Sequence, residues 1–231
     1  MPGARTMAVA TLALVMLGAS AAQGDMEIKV SGVTLVLPRD AKCPAIVLPF
    51  AAAARYATDH VVGLHDGIDI RLPEGTPLLA LAAGKVINVG EGATSTGHYM
   101  WMQHAPDDTG LPFWLYSTYR HFHRIVELEV GAAVKVGQVI GAAGKPSYPN
   151  LHLATLVSVS PQYEARRTSV VVPGARLVDP AVVFVKGLRG LDDLERLPMA
   201  RPSVLVPYAT YEGVLRPEKS RVIWPVACQR N

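Results

Sequence analysis

"GIDIRLPEGTPLLALAAGKVINVG", residues 67 to 90, sets the grammar of the chain. Short apolar runs are cut by Pro73, Gly75, Pro77 and Gly84, so no run reaches the length of a helix face. Each reads instead as a short strand closed by a turn. The same punctuation continues through "HYMWMQH" (98–104), "FWLYSTYRHF" (113–122) and "VELEVGAAVKVGQVIGAAG" (126–144). Upstream, "MEIKVSGVTLVLP" (26–38) alternates polar and apolar residues, the pattern of a half-buried strand. Closely spaced short strands predict an all-β fold, an antiparallel β-sandwich or barrel-like domain. Half of the 231 residues are hydrophobic, enough for a well-packed core and too many for a disordered chain. A net charge of +3 without any lysine/arginine block argues against a nucleic-acid partner.

The two ends differ from the middle. "MPGARTMAVATLALVMLGASAAQGDME" (1–27) has an early arginine, a short alanine-rich apolar run and a small-residue end. It reads as a signal peptide over residues 1–22, with an uncleaved anchor as the alternative. No later stretch reaches spanning length, so no stable membrane span is expected after cleavage, and the location is secreted or periplasmic. Residues 23–60 form a short N-terminal strand region, 61–186 the main domain, and 187–231 an irregular, proline- and arginine-dotted C-terminal extension. One short helical turn is expected near Leu191–Leu197. The two cysteines, Cys43 and Cys228, read in an exported chain as a disulfide clipping the ends together; two free thiols are the alternative.

All seven histidines lie between positions 60 and 152. In "GLHDGIDIRLPEGTP", alternation along an extended segment points His65 and Asp69 to one face, with Gly67 leaving room between them. An imidazole and a carboxylate converging this way suit zinc, although a strand-end histidine bonded to an aspartate has the same appearance. In "STYRHFHRI", His121 and His123 share a face with Tyr119. In "YPNLHLATL" (148–156), Asn150, His152 and Ala154 share a face while Leu151 and Leu153 point into the core. His152 would complete a set of two histidines and one carboxylate with a fourth position open to water, the catalytic rather than the structural zinc pattern.

From Gly63 to Val185 the chain resembles the LytM/lysostaphin-type zinc metallopeptidases, which cut peptides of bacterial peptidoglycan. "HDGIDI" resembles the family's H-x-G-x-D element, and "PEGTPLLALAAGKV" its following P-x-G-T-P run. "TYRHFHRI" resembles its Y-x-H-L strand, and "VGAAVKVGQVIGAAG" its G-Q-x-I-G segment. "NLHLA" stands in the place of H-L-H-F-E, and "VDPAVVF" in that of the closing D-P element. The resemblance implies a metallopeptidase domain with Zn2+ held by His65, Asp69 and His152. It places His121 at one catalytic histidine and Asn150 at the other, where the family carries histidine. Asp66 and Ala154 also depart from the family's usual histidine and glutamate. Asparagine donates a hydrogen bond but takes up no proton, so proton transfer falls to His121 or the neighbouring His123.

Two functions follow from the resemblance. One is an exported zinc endopeptidase acting on peptidoglycan peptides, weakened at Asn150. The other is a non-catalytic zinc-binding relative that binds cell wall or regulates another cell-wall hydrolase. A third reading, from the likeness of "VGAAVKVGQVIG" to a lipoyl or biotinyl carrier hairpin, lacks the Met-Lys setting near Gly84-Lys85 and leaves the histidines unexplained. Trp101, Trp114, Tyr119 and Tyr148 are aromatic candidates for a substrate groove. Of these Tyr148 is preferred, Trp101 is expected in the core, and His104 is expected to be structural.

Overall fold

Six strands make the working part of a larger sheet: β1 (Ile46–Leu48), β2 (Ile68–Arg71), β3 (Gly84–Glu91), β4 (His98–His104), β5 (Trp114–Ile125) and β6 (Asn150–Ser158). The computed structural model describes residues 30–55, 61–92, 97–125, 127–144 and 150–231, without the side chains of 54–55, 61–62, 122–125 and 150. The expected signal segment, Tyr148, and the side chains of His123 and Asn150 therefore lie outside the described residues. Across the sheet the order is Ala133–Val134, β3, β4, β5, β6, β2, β1. All of its described pairings are antiparallel, so the expected all-β antiparallel architecture is the one the chain adopts.

Alternation gives the sheet two different faces. On one, Ile68, Ile70, Met100, Met102, Leu115, Tyr119, Leu151 and Leu153 join the main core, closed by Val206, Tyr208, Val222, Trp224 and Val226 of the C-terminal extension. On the other, Ile87, Tyr99, Trp101, Tyr116 and Leu156 pack beneath Val170 and Val172 at one end only. The rest of that face carries Asp69, His152 and Arg120, aligned side by side because β2, β6 and β5 pair Asp69 with His152 and His152 with Arg120.

The extension is bound by backbone as well as by packing. Ile223 N–H donates to Leu81 O at 2.8 Å, and Leu79 N–H to Pro225 O at 2.8 Å. Trp224 is buried, and its indole N–H reaches Pro44 O at 3.1 Å. The expected disulfide joins Cys43 to Cys228, beside a ribbon that pairs Ala41–Lys42 with Gln229–Arg230. The helical turn expected near Leu191 is a 3-10 helix over Leu191–Arg196, continued by a short α-helix over Leu197–Ala200. Among the described residues no helix is long and apolar enough to cross a membrane.

Three expectations need correction. Of the alternating stretch 26–38, residues 26–29 lie outside the described residues, and the described part holds a strand at Thr34–Val36 alone, paired parallel with Ser203–Leu205. Just before that strand Gly32 takes a left-handed φ of 69°, with no room for a Cβ, which would stand 2.9 Å from Pro198 Cα. Ser31 instead donates its hydroxyl to Asp179 Oδ2 at 2.6 Å, tying the N-terminal region to the residue that caps the 3-10 helix Pro180–Phe184. Tyr119 is no groove residue: it is fully buried, and its hydroxyl oxygen accepts from Leu81 N–H at 2.9 Å. Tyr119 and His121 do not share a face, for the reason given below.

His104 is structural, as expected. Its Nδ1 stands 2.7 Å from Ala83 O and its Nε2 2.8 Å from Ser117 Oγ. Burial pushes the imidazole down to about 4, so the ring is neutral at pH 7. The clip between the two ends gives a direct test of the fold. Replacing both Cys43 and Cys228 with serine lowers the unfolding free energy by about 2–5 kcal/mol. Denaturant titration measures this, and an unchanged midpoint would mean that strand pairing and Trp224 alone hold the ends.

Candidate metal centre

His65 leaves a hairpin formed by Ala53–Arg55 and Val61–Leu64, with its backbone locked to Ala52 O and Ala51 N at 2.8 and 2.9 Å. Asp66 and Gly67 then make a bend, and β2 begins only at Ile68. Convergence of His65 with Asp69 thus comes from a bend feeding a strand, not from the continuous extended segment that alternation predicts. Their side chains meet all the same, His65 Nε2 lying 3.3 Å from Asp69 Oδ1. The space left by Gly67 is real but serves His152. A Cβ there would stand 2.9 Å from Cε1 and Nε2 of the His152 ring and 2.4 Å from Leu153 O.

His152 arrives from β6, directly opposite Asp69. Its Nδ1 is 3.0 Å from Asp69 Oδ1 and 3.1 Å from His65 Nε2. The three atoms form a triangle with sides of 3.0, 3.1 and 3.3 Å. A tetrahedral ion with bonds of about 2.0–2.1 Å sets its ligand atoms roughly 3.3–3.4 Å apart. The triangle therefore fits one face of such a site. The sequence-derived set of His65, Asp69 and His152 is brought together.

Ring nitrogens facing away from the triangle each have a near oxygen. His65 Nδ1 lies 3.1 Å from Pro49 O, just beyond β1. That carbonyl can only accept, so Nδ1 carries a proton, and in the neutral ring Nε2 presents a lone pair to the triangle. His152 Nε2 lies 3.3 Å from Asp66 Oδ1. Asp66 also forms a metal-capable group with His65 and His152, their ligand atoms all within 4.8 Å of one another. Asp69 makes the tighter set, since one oxygen contacts both imidazoles at 3.0 and 3.3 Å.

The charges ask for a cation. Burial opposes the negative charge of Asp69, but the His152 and His65 imidazoles packed against its Oδ1 outweigh burial and hold the carboxyl well below the usual range. At Asp66 burial again opposes the charge, and His152, with help from Arg120 and His65, brings the carboxyl down to about 2. Burial disfavours a charged His152, yet the two carboxylates outweigh burial and push its pKa up. What stabilises a proton here would stabilise a metal ion as well.

His121 reaches the site through a bulge. Strand alternation would turn it away from His152, because the opposite partner of His152 is Arg120. The register of β5 slips between Arg120 and Phe122, and His121 takes a left-handed φ of 68°. Its ring then lies 5.9 Å from that of His152, edge to face. A non-glycine residue held there costs on the order of 1–2 kcal/mol, and bulges that re-aim a side chain concentrate beside active sites. Asn150 begins β6 with its backbone opposite Arg71.

Sequence reasoning overlooked Pro49 and the site-facing role of Asp66 and Arg120. An acidic residue next to a ligand histidine was a readable signal for Asp66; a backbone carbonyl sixteen residues upstream of His65 leaves none. A separate hollow of about 360 Å³, bordered by Lys186, Lys219 and Arg221, shares no residue with this centre.

Comparison with known proteins bears on the same region. Residues 63–162 match the model of peptidase family M23. The chain is 30% identical over 123 residues to the cell division protein DipM of Caulobacter vibrioides, covering 52% of this chain and 17% of that protein. It is 30% identical over 99 residues to lysostaphin of Staphylococcus staphylolyticus, covering 42% of this chain and 19% of that one. The chain thus spans less than a fifth of the length of either relative. Among solved structures, the catalytic domain of the antimicrobial peptidase lysostaphin from Staphylococcus simulans aligns with 24% identity and a TM-score of 0.40, over 52% of this chain and 84% of that chain. The stretch that carries His65, Asp69, His121 and His152 belongs to peptidase family M23, the LytM/lysostaphin family.

Proposed function

We propose that this chain is an exported zinc metalloendopeptidase acting on peptidoglycan peptides, with hydrolysis weakened by Asn150. The observation that carries the reading is the triangle of His65 Nε2, Asp69 Oδ1 and His152 Nδ1, three electron-pair donors converging on one point. Those three residues hold the metal. When bound, zinc supplies Lewis-acid polarisation of the scissile carbonyl and a water acidified toward neutrality. The chain's own groups do the rest. His121, turned onto this face by the bulge, takes the proton, work that typically contributes about 10² to 10⁴ in rate. Asn150 offers only an N–H donor to a developing oxyanion.

In this reading residues 1–22 direct export and are removed, and residues 61–186 form the peptidase domain. Residues 187–231 serve as its C-terminal support. The substitution at Asn150 favours one second reading: a zinc-binding relative that no longer cuts, and instead binds cell-wall peptides or regulates another cell-wall hydrolase.

The mature chain is expected to bind about one zinc, read by elemental analysis after dialysis. Asp69→Ala abolishes that binding, and Gly67→Ala weakens it by displacing the His152 ring; full zinc loading of Asp69→Ala would remove the assignment. On purified peptidoglycan, Asn150→His is expected to raise the rate by about 10²-fold or more, while His121→Ala falls to background. A parent that is silent until Asn150→His restores cutting selects the second reading. Hydrolysis that survives His121→Ala would exclude it as the base.

A further inference from the structure

A histidine that binds a metal through one ring nitrogen must, while neutral, carry its proton on the other. At His65 the second nitrogen is provided for: Nδ1 faces Pro49 O at 3.1 Å. At His152 the roles are reversed, since Nδ1 faces the triangle and Nε2 is left over. That Nε2 is buried and makes no hydrogen bond in this structure. A buried N–H without an acceptor is costly, so ligation through Nδ1 is favourable only with an acceptor at Nε2.

One carboxylate stands in place. Asp66 Oδ1 is 3.3 Å from His152 Nε2, within ion-pair range though poorly aligned for a hydrogen bond. Its side chain is 46% exposed while that of His152 is 6% exposed, so Asp66 approaches the ring from the solvent side. Its place is set by the bend, directly between His65 and Gly67, on the face where Arg120 is the cross-strand partner of His152.

We propose that Asp66 is a positioning residue of the metal centre, accepting the Nε2–H of His152 and thereby fixing Nδ1 as the nitrogen offered to the ion. This rests on the zinc reading above and assigns Asp66 to the outer shell, not to the ligand set. Outer-shell carboxylates of this kind orient the imidazole and raise its basicity, and their loss typically weakens metal binding about 10- to 100-fold. Asparagine in the same place retains an acceptor oxygen without the charge, whereas alanine retains neither.

The test is zinc affinity by chelator competition at one pH for the wild type, Asp66→Asn, Asp66→Ala and Asp69→Ala. It is paired with the nitrogen-15 spectrum of the histidine rings in the zinc-loaded proteins. Affinity is expected to fall by about 10- to 100-fold in Asp66→Ala and by less in Asp66→Asn. The His152 Nε2–H resonance should shift in both, with metal-free thermal stability unchanged. Wild-type affinity in Asp66→Ala, or an unmoved Nε2–H signal, overturns the proposal. So does loss of zinc as complete as in Asp69→Ala, which would make Asp66 a direct ligand. A wild type that binds no zinc brings down the metal reading itself, and is distinguishable from the case in which only Asp66 is indifferent.

Discussion

Two imidazole nitrogens and one carboxylate oxygen are held within 3.0 to 3.3 Å of one another, and the rest of the molecule is organised around that crowding. With Pro49 fixing the proton of His65 on the far side of its ring, at most one proton, on His152 Nδ1, remains to separate three lone-pair-bearing atoms. In water such groups would swing apart. Here the cross-strand pairing of Asp69 with His152, the backbone lock on His65 and the bare Cα of Gly67 leave little freedom to do so. The arrangement persists because the sheet enforces it, and it is relieved by a positive charge at its centre.

The sheet can enforce it because its opposite face is a packed core. Ile68 and Ile70 flank Asp69, and Leu151 and Leu153 flank His152, so each polar side chain is levered outward by two buried neighbours. A slip of one residue in β2 or β6 would bury the acid and expose the leucines, which fixes the register strongly. The geometry of the three donors is therefore set largely by hydrophobic burial on the opposite face of the sheet.

Much of this was legible in the sequence. Period-two alternation and the Gly/Pro punctuation between 67 and 90 gave the all-β antiparallel sheet, and the ordered motifs singled out His65, Asp69 and His152. What stayed hidden depends on departures from regularity. His121 lies on the site face only because of a bulge and a left-handed backbone angle, and strand alternation predicts the reverse. Tyr119 looks like a groove aromatic in a linear reading, yet Leu81 N–H recruits its hydroxyl from thirty-eight residues away. Among the described residues of 26–38 the strand is confined to Thr34–Val36, after a left-handed Gly32 that Pro198 approaches closely. Local pattern reports which face a residue prefers, and non-local backbone contacts decide whether it gets it.

The strap containing Pro49 has a consequence for modularity. It lies outside the family-matched stretch of 63–162, and it is moored by Trp224 to Pro44 and by the disulfide at Cys43 to the last residues of the chain. The carbonyl that decides which nitrogen His65 turns inward is thus maintained by segments flanking the matched region on both sides. A excision drawn at the borders of that region would keep all three donor residues and lose the scaffold that sets the proton on one of them. The unit that arranges the three donors is wider than the family-matched stretch, and the strap at Pro49 and the residues around Cys228 belong to it.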